Sequence, residues 1–246
     1  MVKKRAFTLI ELLVVISIIS LLLSILMPSL SKARKQAKSA VCKSNLKQQQ
    51  LGMELYWSEY DGETFSYLGG KTQIGRVYLV PLEPMLQNVD EIRFCPEASE
   101  IPHDDLGYGS VGSAKRPWLW HVGEVHEYGS YAINGWLYGI SANHWMANSE
   151  EAFRKVNAVQ HPTQTPLFVD ANWLDVWPDN YMAVSPALNL SEGGTGHMER
   201  LMINRHNMKT NIAFVDGHVE EVELYDLYTF YWHRLSKPNY NMYWPF

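Results

Sequence analysis

The sequence predicts an α+β protein: one long N-terminal helix, then a larger domain built on an antiparallel β-sheet. Three observations carry this. Residues 7–27 form an apolar run of bilayer length, and a three-to-four-residue apolar rhythm continues beyond it to about residue 55. From Asp61-Gly62 onward Gly, Pro, Trp and Tyr become frequent, and short β-rich runs end in turn residues.

The run from Phe7 to Met27 has 21 residues. At about 1.5 Å per helical residue it reaches roughly 31 Å, the thickness of a hydrocarbon core. Lys3-Lys4-Arg5 precede it, and only Thr8, Glu11, Ser17, Ser20 and Ser24 interrupt it. A secretory signal and a membrane anchor both start this way. Met27-Pro28-Ser29-Leu30 lacks the small-x-small cleavage signal, and the run is longer than a signal's apolar region, which favours an anchor. Neither reading accounts for Glu11. An ionised carboxylate in hydrocarbon is costly and calls for a partner.

Ser17, Ser20 and Ser24 share one helical face. Small polar residues there let helices approach closely, or simply bond their own backbone carbonyls. Pro28 predicts a bend, because it removes a backbone donor and crowds the preceding turn.

Beyond Pro28, Leu30, Ala33, Ala37, Val41, Ser44, Leu51 and Leu55 keep the rhythm, so the helix is expected to run to Tyr60, about 80 Å in all. Charge is uneven along it. Nine of the 21 basic residues but one of the 26 acids lie before residue 48, leaving a formal net of −13 for residues 48–246. Lys32, Arg34, Lys35, Lys38, Lys43 and Lys47 therefore read as a solvated helix face beside lipid or an acidic neighbour. A nucleic-acid partner is not expected of so acidic a remainder.

Within residues 61–246, Ser130–Gly135 and Pro166–Asp170 predict short strands. Residues 106–116, 173–186 and 191–197 predict irregular loops. Asn211 to Val215, Asp216-Gly217, then His218-Val219 predict a β-hairpin with a type I′ turn. Trp118, Trp120, Trp136 and Trp145 are expected in the core. No Ser-His-Asp order, phosphate loop or paired-carboxylate signature stands out, so the chain is not expected to be an enzyme.

The stretch Lys3-Lys4-Arg5-Ala6-Phe7-Thr8-Leu9-Ile10-Glu11-Leu12-Leu13 resembles the N-terminus of type IV prepilins and type II secretion pseudopilins. Cys42 to Gln48, and His206 followed after nine residues by Asp216-Gly217, resemble a large-head subgroup of pseudopilin-like proteins. Together these stretches cover about half of the chain. The N-terminal motif is the specific one; the C-terminal signature says little about chemistry.

The resemblance implies a pilin-like fold in four parts: a leader at 1–6, a transmembrane helix at 7–28, its extracytoplasmic continuation at 29–60, and a head at 61–246 with a C-terminal β-hairpin. It implies cleavage by a prepilin peptidase between Ala6 and Phe7, N-methylation of Phe7, and assembly through Glu11. The family usually carries Gly where this chain has Ala6. The implied partners are the peptidase, other pseudopilin subunits, an inner-membrane secretion platform and lipid. The implied placement is single-pass in the inner membrane, with a cytoplasmic N-terminus and a periplasmic head. The alternative is an anchored carbohydrate-binding, metal-binding or enzymatic domain that uses the leader only for sorting.

In an extracytoplasmic head, Cys42 and Cys95 are expected to form a disulfide. No cofactor is required by the motifs. If a metal is held, His206, Asp216 and His218 are its candidates, and Asp170, Asp175 and Asp179 are the oxygen-rich set for calcium.

Overall fold

The computed structural model describes residues 9–66, 78–102, 109–122, 125–139, 149–185 and 187–240. Ala6, Phe7, residues 106–108, Trp145 and Pro186 lie outside them. The chain divides into two units, Met1–Lys38 and Ser39–Phe246. The first helix, α1 (Leu9–Glu59), contributes to both and continues through Pro28.

In the first unit every described side chain from residue 9 to residue 37 is exposed. An apolar surface of that size is not tolerated in water, and by length and composition this helix can cross a membrane. Ser17 donates to the Leu13 carbonyl at 2.8 Å and Ser24 to that of Leu21 at 2.7 Å. Those two hydroxyls are thus satisfied within their own helix.

In the second unit α1 becomes amphipathic. Ser39, Cys42, Asn45, Leu46, Gln49, Gln50, Gly52, Met53 and Trp57 make its buried face, at helical spacing. The buried amides bond chain that has no ladder to join. Asn45 Nδ2 donates to the Phe94 carbonyl at 2.9 Å and Gln49 Nε2 to that of Ile92 at 2.8 Å. Gly52 permits close packing, since a Cβ there would meet the Leu86 side chain at 2.8 Å. A short helix, α2 (Val89–Ile92), follows, and Arg93 after it pairs with Glu127.

Three strands form a small antiparallel sheet in the order β1 (Gly109–Ser110), β2 (Trp118–Val122), β3 (Val125–Gly129). This sheet is not predicted by the sequence, and β1 falls in a stretch expected to be loop. Five more form a mixed sheet: β4 (Tyr131–Asn134), β5 (Pro166–Asp170), β6 (Asp175–Val176), β7 (Lys209–Phe214) and β8 (Val219–Glu223), in the order β6-β4-β5-β7-β8. All its pairs are antiparallel except β4 with β6. The predicted strands at 130–135 and 166–170 are β4 and β5.

β5 is buried along its whole length, as its uninterrupted apolar run Pro166-Leu167-Phe168-Val169 requires of a central strand. β8 is one of the two outer strands. It is rich in glutamate, and Lys209 lies 3.3 Å from Glu221 and 3.5 Å from Glu223 across the pair. Trp118 and Trp136 are buried as expected, whereas Trp120 is half-buried with its ring edge-on to Trp173.

The β7–β8 hairpin forms, but not with the expected turn. Gly217 alone has positive φ, at +98°, while Asp216 keeps the ordinary sign. The Gly217 N–H bonds the Phe214 carbonyl, and the Phe214 N–H bonds that of His218. This is a three-residue loop whose third residue is left-handed, a bulged hairpin in place of type I′. Asp216 caps the loop instead, accepting from the His218 N–H at 3.3 Å. Lys47 of α1 donates to the Gly217 carbonyl at 2.7 Å, which seats the turn on the helix.

The stretch 191–197 is irregular, as expected, yet it and the residues after it are pinned rather than loose. Asn172 donates to the carbonyls of Glu192 and Gly194, and the Arg200 guanidinium lies over the Trp173 ring at 5.4 Å. Burial, reinforced by Arg200, lowers the His197 pKa from 6.5 to about 4. The unfolded chain therefore binds an extra proton between those values, and stability falls as pH drops from 6.5 to 4. The variant His197→Gln is expected to show a shallower decline over that window in thermal unfolding. Identical slopes for variant and wild type would refute this assignment.

Candidate functional site

Chemistry-bearing side chains gather at one buried point of the second unit. Cys42 comes from the inward face of α1, and Cys95 from the turn after α2. Asp170 ends β5, and His206 stands just before β7. Asn207 and Met208 both have positive φ, at +59° and +65°, so the chain turns sharply between His206 and the strand.

Asp170 is the hub. Its Oδ2 lies 3.3 Å from His206 Nε2 and accepts from the Asn211 N–H at 3.1 Å. Its Oδ1 accepts from the Cys42 thiol at 3.4 Å and from Arg205 Nη1 at 3.4 Å. Cys95 Sγ lies 3.4 Å from His206 Nε2, and Tyr131 Oη donates to Cys42 Sγ at 3.2 Å. Arg205 also donates to the backbone carbonyls of Ser113, Ala114 and Ser130, tying the smaller sheet to the larger one. Asp170 and Cys42 are 0% exposed, Cys95 1% and His206 8%.

The electrostatics follow from this packing. Burial works against the Asp170 charge, but His206 and Arg205 outweigh it and hold the carboxyl at about 2. Burial likewise opposes the His206 cation, yet Asp170 and Cys95 raise that ring to about 10. Burial pushes the Cys42 thiol well above its ordinary value. For Cys95 the burial effect is outweighed by hydrogen bonds from Cys42 and His206, which lower it to about 6. Both shifts favour a thiolate beside an imidazolium. That pair has the make-up of a nucleophile, but at 1% exposure no substrate reaches the sulfur in this conformation.

The expected residues are thus regrouped. Cys42 and Cys95 are free thiols, so the expected disulfide is not formed, although both sulfurs join the same cluster. Besides their mutual contact, Cys42 is held by Asp170 and Tyr131 and Cys95 by His206. His206 does not join Asp216 and His218. Those two pair with each other at 2.6 Å on the hairpin, where the His218 ring stacks on Phe214 at 4.3 Å. The oxygen-rich set separates as well: Asp170 lies in the cysteine cluster, Asp175 lies 3.8 Å from Arg200, and Asp179 lies 3.9 Å from His233.

Among the described residues two groups hold donor atoms within 4.8 Å of one another: Cys42, Cys95, Asp170 and His206, and separately Glu151, Asp179 and His233. Sequence reasoning found each member of the first group but assigned them to three different roles. It missed Arg205 and Tyr131, which carry no spacing signal.

Glu11 lies in the first turn of α1, within the exposed apolar stretch. No curated protein and no solved structure matches the chain. Residues 1–27 match the prokaryotic N-terminal methylation motif. With that motif leading directly into a long apolar helix, the chain has the N-terminus of a prepilin-type protein.

Proposed function

We propose that this chain is a structural, pseudopilin-like subunit of a type II secretion or type IV pilus-like filament. A prepilin peptidase removes residues 1–6, Phe7 becomes the N-methylated N-terminus, and residues 7–28 hold the subunit in the inner membrane with the head on the periplasmic side. Glu11 then meets the terminal amine of an adjoining subunit. Catalysis forms no part of the proposal.

The observation that carries it is the coincidence of the methylation motif with an apolar stretch of α1 that bears a single acid, Glu11. Lipid explains the apolar side chains; a neighbouring amine explains the acid. An acid placed in hydrocarbon gains most from a compensating cation when the two enter together, which favours insertion beside an existing subunit. Ala6 is small, like the Gly the family usually carries there, which is compatible with cleavage after it.

Intact-mass and N-terminal peptide analysis of the membrane-bound chain tests the processing step. The expected product begins at N-methylated Phe7. A chain that retains Met1 to Ala6, or is cut after Met27, would overturn the reading.

A further inference from the structure

The four-residue cluster has the shape of a coordination shell. Cys95 Sγ to His206 Nε2 is 3.4 Å, His206 Nε2 to Asp170 Oδ2 is 3.3 Å, and Cys42 Sγ to Asp170 Oδ2 is 3.5 Å. A tetrahedral zinc ion with bonds of about 2.3 Å to sulfur and about 2.0 Å to nitrogen and oxygen requires edges of about 3.5, 3.3 and 3.5 Å respectively. We propose that Cys42, Cys95, Asp170 and His206 form a structural zinc site of two thiolates, one imidazole and one carboxylate.

The donor chemistry selects the ion. Two sulfurs and one nitrogen suit a borderline-soft divalent metal and not calcium, which takes six to eight oxygens. All four donors are buried, so no position is left for substrate or exchangeable water, and the site is of the closed, structural kind. The surroundings fit as well. Tyr131 Oη bonds Cys42, and the Asn211 N–H and Arg205 bond Asp170, so two of the four ligand groups are held in orientation by neighbouring donors.

Charge is balanced. Zinc with two thiolates and one carboxylate carries one negative charge, and Arg205 beside Asp170 cancels it. Binding requires both thiols deprotonated and the His206 ring neutral, so protons leave as the ion enters. The ion would join α1, the turn after α2, the end of β5 and the chain before β7. It would do there what the expected disulfide would do between two of those segments.

The full-length chain, purified in detergent under reducing conditions without chelator, is expected to hold about one zinc per chain. With cobalt(II) in its place, a thiolate-to-cobalt charge-transfer band and strong tetrahedral visible bands should appear. Cys95→Ser and His206→Gln are expected to lower zinc content by about tenfold or more, whereas His218→Gln leaves it unchanged. Zinc content unaffected by the two ligand substitutions would overturn the proposal. So would a wild-type chain that stays metal-free when supplied with zinc, or peptide mapping that recovers a Cys42–Cys95 disulfide. If the ligand variants do not fold, the wild-type cobalt spectrum decides: the thiolate band supports the site, and its absence overturns it.

Discussion

Replacing Glu11 by alanine is expected to exclude the chain from filaments while leaving it inserted in the membrane. Insertion should not suffer, because the substitution removes a charge whose cost reaches about 3 kcal/mol at the middle of a span and is smaller near its start, where Glu11 lies. Assembly should. A carboxylate and an amine about 4 Å apart attract by roughly 4 kcal/mol at an effective dielectric of 20. Losing even 3 kcal/mol weakens a contact by about 100-fold.

Cross-linking and co-purification of tagged with untagged chains from detergent-solubilised membranes would read this. Wild type should recover its neighbours, and Glu11→Ala should recover few, at equal membrane abundance. Normal assembly by Glu11→Ala would remove the main physical support for a filament role. It would favour a head domain that uses the leader for sorting alone.

The second large effect concerns Asp170. Its substitution by alanine leaves the Arg205 and His206 cations buried without their shared carboxylate, and strips an acceptor from the Asn211 N–H. Breaking a buried pair by removing one partner costs about 3–5 kcal/mol. For a chain of this size that corresponds to a fall of about 10 °C in thermal midpoint. The direction is the same with or without a bound ion, since Asp170 is both the electrostatic hub and a candidate ligand.

Asp216→Ala is the matched control. Its partner His218 is exposed, and such surface pairs contribute less than about 1 kcal/mol. If Asp170→Ala unfolds within about 1 kcal/mol of wild type, the cluster does not hold the head together.

Much of the fold was legible because it depends on local pattern. The apolar run and the rhythm after it specify α1. The uninterrupted run at 166–169 specifies a buried strand, and Asp216-Gly217 specifies a hairpin. The hairpin's turn type was not legible, because it depends on the sign of φ at Asp216, and the side-chain bond to the His218 N–H accompanies an ordinary φ there. The small sheet was also missed. In β2 and β3 buried, half-buried and polar side chains mix without clean alternation, so the period-2 signal is weak.

The candidate site was legible only in fragments. Cys42, Cys95, Asp170 and His206 each carry a chemical reason for notice, but 128 residues separate Cys42 from Asp170 and 111 separate Cys95 from His206. No sequence periodicity links positions that far apart.

The sequence by itself determined the prepilin-type N-terminus, the apolar helix, the acid within it and the strands with the strongest local signals. These follow from lipid thickness, helical period and turn chemistry, which act over a few residues. Only the tertiary structure decided that the two cysteines stay free, that His206 parts from Asp216 and His218, and that Asp170 becomes the hub of a buried cluster. Those outcomes depend on which backbone segments pack around a common point, because a buried charge or thiol takes its partners from whatever the fold brings within reach.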